Sequence, residues 1–188
     1  MLKTLPEFRK HVIITGFRDA KVIDFNEFLG KIRKKTSPDV TVQFFDAKHV
    51  AGWEHLYYAM FNALLSMKQK RAISKSLGME ILLYASAQHQ IKRATEIMGV
   101  KTKSSEIGVV IVSDKASLAR QALSAISEQV KARPDESVLE LQPNKIGIIR
   151  KTFGITDEEF NATETGRSPH QVITDLIIER MALLTTKH

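Results

Sequence analysis

Three residues able to ligate a metal, Asp46, His49 and His55, lie close together in the chain. Their spacing matches no recurrent ligand pattern, and a histidine at a helix start, where His55 is expected, packs or faces solvent more often than it binds metal. No metal is expected. The chain has no cysteine, which removes disulfides, thiolate nucleophiles and thiolate metal sites. It also lacks a Gly-rich phosphate loop ahead of a lysine, a Gly-x-Gly-x-x-Gly fingerprint, a Gly-x-Ser-x-Gly elbow and a His-Glu-x-x-His helix. The reading is a binding protein rather than an enzyme, with no catalytic residues and no cofactor.

The polar chemistry gathers instead in residues 73 to 93, ISKSLGMEILLYASAQHQIKR. At the elbow Ser86-Ala87-Gln88-His89-Gln90, the side chains of Ser86, Gln88, His89 and Gln90 offer donors and acceptors suited to base edges or ribose hydroxyls. Lys70, Arg71, Lys75, Lys92 and Arg93 could meet phosphates. A plainer reading is the stronger one on these residues alone: Ser86 caps the next helix and the glutamines face solvent.

Charge has the same bias. Net charge is +7, with 18 basic and 9 acidic side chains in residues 1 to 105 against 10 and 12 in residues 106 to 188. A basic half suits a polyanion, because phosphates attract Lys and Arg and release counterions on binding. A solubilising surface explains it equally well.

The elements that position these residues follow from periodicity. His11 to Phe17, Val40 to Phe45 and Ile107 to Val112 read as strands, and Val138 to Leu141 as a fourth. A helix capped by Asp24 carries Phe25, Phe28, Leu29 and Ile32, with Lys31, Arg33, Lys34 and Lys35 at its negative end. Trp53, Leu56, Tyr57, Met60, Leu64 and Met67 mark one long helix. After an interruption at Ser74, Ser76 and Gly78, Met79 to Ser86 and Ile91 to Met98 follow as two short helices, and Lys115 to Lys131 as another. Asp157 to Arg167 reads as a loop or short helix. The expectation is a single domain over 1–188 with an α+β fold, a two-layer arrangement of a small mixed β-sheet and packed helices.

The final helix, about 168 to 186, has the clearest start: Ser168 as cap, Pro169 in the first position and Gln171 completing the box. Val172, Ile173, Leu176, Ile177, Met181, Leu183 and Leu184 cover about half its circumference, with Arg180 inside that arc. One reading assigns part of the arc (Leu176, Ile177, Arg180, Met181, Leu184) to a protein partner. The other is a deeply buried helix with Arg180 snorkelling outward. The sequence shows neither a long apolar span nor a signal peptide, and a cytoplasmic protein is expected.

The run IS-x-SL-x-MEILLYAS-x-Q-x-QI, with FFDA at 44 to 47, VAGWEHL at 50 to 56 and IIERMALL at 177 to 184, closely resembles the small kinase-binding regulatory subunit of the KEOPS complex. The resemblance implies a non-catalytic subunit of the assembly that makes threonylcarbamoyl adenosine at position 37 of tRNAs. It implies direct binding to the kinase-like ATPase subunit and indirect association with the threonylcarbamoyltransferase and dimerisation subunits. It also implies tRNA capture through the single-stranded 3′ CCA end, and it reverses the order of the two readings of the elbow. Two positions depart from the family pattern, which has Gly and Arg where this chain has Ala87 and His89. Alanine lacks the freedom of glycine for positive φ, and an imidazole replaces a permanent charge, so weaker or pH-dependent RNA binding is implied. The alternative is a purely protein-binding regulator of the kinase-like subunit.

Overall fold

In the computed structural model, which describes residues 2–20, 22, 24–163 and 166–185, the chain forms two compact units. The first comprises residues 1–47 and 99–138, the second residues 48–98 and 139–188.

The first unit is built on a four-stranded sheet. The continuous apolar run of β4 (Ile107–Ser113) is buried at every position, as a central strand requires. It pairs with β2 (Lys10–Phe17) and β3 (Val40–Asp46), and β1 (Leu2–Leu5) adds to the outer edge of β2, giving the order β1-β2-β4-β3. His11 and Val40 both lie opposite Ser113, and Phe17 and Asp46 both lie opposite Ile107. Every pairing is antiparallel, so the α+β class is as expected while the sheet is not mixed. Helices α1 (Phe25–Lys35) and α5 (Ala116–Val130) pack together and close a core of Ile13, Phe17, Phe28, Ile32, Phe44, Ile107, Val109, Ile111, Ala122 and Ile126. Asp24 caps α1 as predicted, its carboxylate accepting from the amides of Asn26 and Glu27.

The strand expected at Val138–Leu141 does not form. Its apolar residues sit in and beside a 3-10 turn, Glu136–Leu139, because the preceding segment is pinned across β2. The amide of Asp135 donates to the carbonyl of Gly16 at 2.8 Å, and Arg18 reaches Asp135 and Ser137. Gly16 admits this crossing because a methyl group there would overlap the Val138 side chain.

The regular elements described in the second unit are helices: α2 (Trp53–Lys68), α3 (Leu77–Ser86), α4 (Ile91–Met98), α6 (Pro143–Phe153), α7 (Asp157–Thr163) and α8 (Pro169–Ala182). Helix α2 packs on α3 and α8, and α3 on α4. Helix α3 begins two residues earlier than the spacing suggested and absorbs Gly78, which is buried. The capping box of α8 is complete: Gln171 N–H donates to Ser168 Oγ, and Ser168 N–H to Gln171 Oε1. After α8 one 3-10 turn covers Leu183–Thr185; residues 164, 165 and 186, included in the sequence expectations, lie outside the described residues. No described helix is long and apolar enough to cross a membrane.

Candidate functional site

The elbow is a helix stop followed at once by a helix start. Ala87 takes the left-handed conformation, φ 50 and ψ 41, at the end of α3. Its amide donates to the Tyr84 carbonyl at 2.9 Å and that of Gln88 to the Leu83 carbonyl at 3.0 Å, the paired bonds of a Schellman motif. The position that favours glycine is thus held by alanine, with the positive φ that alanine was expected to resist. Ser86 neither caps α4 nor faces outward. It is buried, and its hydroxyl donates back to the carbonyls of Leu82 and Leu83 at 2.8 and 3.1 Å. Helix α4 starts on the carbonyl of Gln90, which accepts from the Ala94 amide. Gln88 is half-buried against the Ser86 carbonyl, while His89, Gln90, Lys92 and Arg93 are exposed. Arg93 pairs with Glu96 at 3.3 Å.

Beneath the elbow sits His55, fully buried in α2. Its Nδ1 accepts from the Ala51 amide at 3.1 Å, which leaves the proton on Nε2 to donate to the Ala85 carbonyl at 2.7 Å. Phe153 meets the ring edge-on at 5.5 Å. Burial lowers the imidazole pKa to about 4 against the opposing pull of the Ala85 bond, so the ring is neutral near pH 7. A neutral ring suits these two bonds, since one nitrogen must accept. His55 is therefore a tie between the start of α2 and the last turn of α3. The other two metal candidates are engaged separately: Asp46 accepts from Ser104 Oγ at 2.8 Å, and His49 Nδ1 lies 3.1 Å from Thr152 Oγ1. Among the described residues no cluster of His, Asp and Glu suits a metal ion.

Lys70, Arg71 and Lys75 are exposed, but they lie at the opposite end of α3 from the elbow. Ten residues of helix separate the two groups, about 15 Å at the α-helical rise. Their loop is organised by a residue that the sequence did not single out. Glu80 is fully buried, and its carboxylate accepts from Ser66 Oγ, the Ile73 amide and the Ser74 amide at 3.2, 3.1 and 2.7 Å. A buried carboxylate requires such donors, and here they fix the path of the backbone that carries Lys75.

Most of the arc proposed for a partner is buried in helix α8 and the turn that follows it. Leu176, Ile177, Met181 and Leu184 are at most 4% exposed, as are Val172 and Ile173. Apart from Leu183, which is 44% exposed, the apolar arc covers the core of its own unit, and each such buried side chain contributes about 1.5–3 kcal/mol of gross burial. These four side chains are buried within the chain itself. Arg180 alone of the five candidates reaches the surface, where its Nη2 donates to Glu159 Oε2 at 2.7 Å. That hydrogen bond holds the Glu159 carboxyl below the usual range, against the effect of its partial desolvation.

Arg180 also joins α8 to the elbow. A cavity of about 270 Å³ is lined by Ser86, Ala87, Gln88 and His89 on one side and by Thr152, Phe153, Arg180, Leu183 and Leu184 on the other. Its walls combine an apolar body with amide, imidazole and guanidinium groups.

The family model described as Kinase binding protein CGI-121 matches residues 20–185. The chain belongs to the CGI-121 family. One CGI-121 relative, Regulatory protein Cgi121 of Methanocaldococcus jannaschii, is 31% identical over 144 residues, covering 77% of this chain and 85% of the relative. The KEOPS-subunit resemblance read in the sequence is thereby placed: the match includes FFDA, VAGWEHL, the 73 to 93 segment and α8. The family is described as kinase-binding, and its Methanocaldococcus jannaschii relative as a regulatory protein.

Proposed function

We propose that this chain is a non-catalytic, cytoplasmic subunit of a KEOPS complex, which binds and stimulates the kinase-like ATPase subunit and recruits tRNA through its 3′ CCA end. Threonylcarbamoyl adenosine synthesis at tRNA position 37 would then take place on the partner subunits. The observation that carries the RNA reading is the elbow itself. A rigid Schellman turn, tied from below by His55, presents Gln88, His89 and Gln90 beside a cavity lined by Arg180. Single-stranded RNA is recognised by such convergent amide, imidazole and guanidinium groups around splayed bases. Lys70, Arg71 and Lys75 would meet phosphates farther along the strand.

The test is the affinity of the chain for intact tRNA and for tRNA trimmed of its CCA end, across a salt series. Trimming should weaken binding and flatten the dependence on salt, since fewer phosphates are then neutralised. Equal affinity for the two RNAs would overturn the elbow contact. A second reading, a purely protein-binding regulator, is favoured by the pairing of Arg93 with Glu96 and of Arg180 with Glu159, which partly neutralises two of the arginines near the elbow. It would show as stimulation of the kinase-like subunit with no tRNA binding at any salt concentration.

A further inference from the structure

The cation lining the elbow cavity is held by an internal anion. Arg180 spends Nη2 on Glu159 Oε2, at 2.7 Å, and on the Gly154 carbonyl, at 3.4 Å, and one N–H of Nη1 on the Leu176 carbonyl, at 3.1 Å. Nε–H and the second N–H of Nη1 have no partner among the described residues. The guanidinium is therefore fixed in place with donors in reserve. Glu159 is held from one direction: the bonds at its main chain, from the Glu159 amide to Thr156 Oγ1 and from Thr163 Oγ1 to its carbonyl, belong to the turns of α7, and the carboxylate is bound by Arg180. Both side chains are partly exposed, at 23% and 34%, so neither is locked by burial.

An anion entering this cavity meets a guanidinium whose charge is already partly neutralised, and a carboxylate of like sign next to it. We propose that Glu159 is a built-in competitor for the RNA phosphate at the elbow, holding Arg180 and keeping capture of the strand end weak enough to reverse. This rests on the reading of the elbow as an RNA 3′-end site. On entry of a phosphate, Arg180 turns its reserve donors to the phosphate oxygens or exchanges Glu159 for them. On release, the internal pair re-forms.

The test is a mutant cycle of Glu159→Gln, Arg180→Gln and the double variant, each checked for an unchanged thermal midpoint. The probe is a labelled RNA oligonucleotide ending in CCA, followed by fluorescence anisotropy from low to moderate salt. Glu159→Gln should tighten binding roughly two- to fivefold, the worth of a partly exposed ion pair. It should also steepen the logarithmic salt dependence by about 0.7, one further neutralised phosphate on a single strand. Arg180→Gln should weaken binding, and in its background Glu159→Gln should have no effect. Unchanged affinity and slope in Glu159→Gln, or an equal gain with and without Arg180, would overturn the competitor role. Failure of the RNA reading has a different signature, equal binding of oligonucleotides with and without the CCA end. In that event the cycle is read with adenosine monophosphate, following the Arg180 guanidinium by NMR. Tighter binding to Glu159→Gln supports competition at this cavity, and no change rejects it.

Discussion

Replacing Ala87 by glycine tests the elbow's geometry directly. Ala87 sits at φ 50, ψ 41, where a Cβ crowds the neighbouring carbonyl, at a cost of roughly 1–2 kcal/mol for a non-glycine residue. Glycine relieves that cost but adds freedom to the unfolded chain, which offsets about 0.4–1 kcal/mol. Ala87→Gly should therefore stabilise the fold by about 0.8 kcal/mol, within a span of about 0–1.6 kcal/mol, with both Schellman bonds retained. For a chain of this size the gain appears as a rise of about 1–4 °C in Tm, and as a higher urea midpoint at unchanged slope. Ala87→Val should move the midpoint the other way, because a β-branched side chain tolerates positive φ less well than alanine. A glycine variant with a lower midpoint would refute the left-handed turn, and with it the account of how the elbow is presented.

His55 and Glu80 give two further expectations. The native imidazole does not take up a proton until about pH 4, whereas the unfolded one does so near 6.5. Between those values the unfolded state binds the extra proton, so stability falls as pH drops, by about 3 kcal/mol across the window, and is complete above it. Urea unfolding at pH 7.5 and 4.5 measures the fall, and a His55→Gln variant that keeps the same pH slope would show that the loss lies elsewhere. Glu80→Ala leaves the Ser66 hydroxyl and two loop amides without their acceptor and should cost about 2–4 kcal/mol. Hydrogen exchange should accelerate first at Ile73 and Ser74; unchanged protection there would mean that the loop does not depend on this carboxylate.

Elements that bury one face with regular spacing were legible in the sequence, and so were those with local caps. The Asp24 and Ser168 starts hold because capping involves residues at most three apart. Strand β1 escaped because four residues, LKTL, carry too little alternation, and its strand state comes from pairing with β2. Val138 to Leu141 is as apolar as a strand, yet its form is decided by Arg18 and Gly16, more than a hundred residues earlier in the chain. Helix α6 left readable marks, Pro143 in its first turn and Gly154 at φ 65 after its last, that went unused. In the site, the elbow's polar residues were visible as a cluster. Their cavity was not, because Thr152, Phe153 and Arg180 join it only through the packing of the second unit. His55 was noted as a residue that packs or faces solvent, but its role as a tie was not legible, and Glu80 was missed, for a related reason: a buried polar organiser looks like any other histidine or glutamate until its partners are known.

The interleaving of the two units has a consequence for synthesis. The first unit has all its segments once residue 138 has been made, whereas residues 48–98, which include the elbow, must wait for residues 139–188. Chains emerge from the ribosome N-terminus first, so the surface of α2 that packs on α8, with a smaller part of α3, stays uncovered until α8 has been made. The elbow segment is among the earlier parts to be translated and among the last to be completed. Any chain that stops short of α8 would release a finished sheet attached to an open helical half, a form that chaperones and proteases should recognise readily.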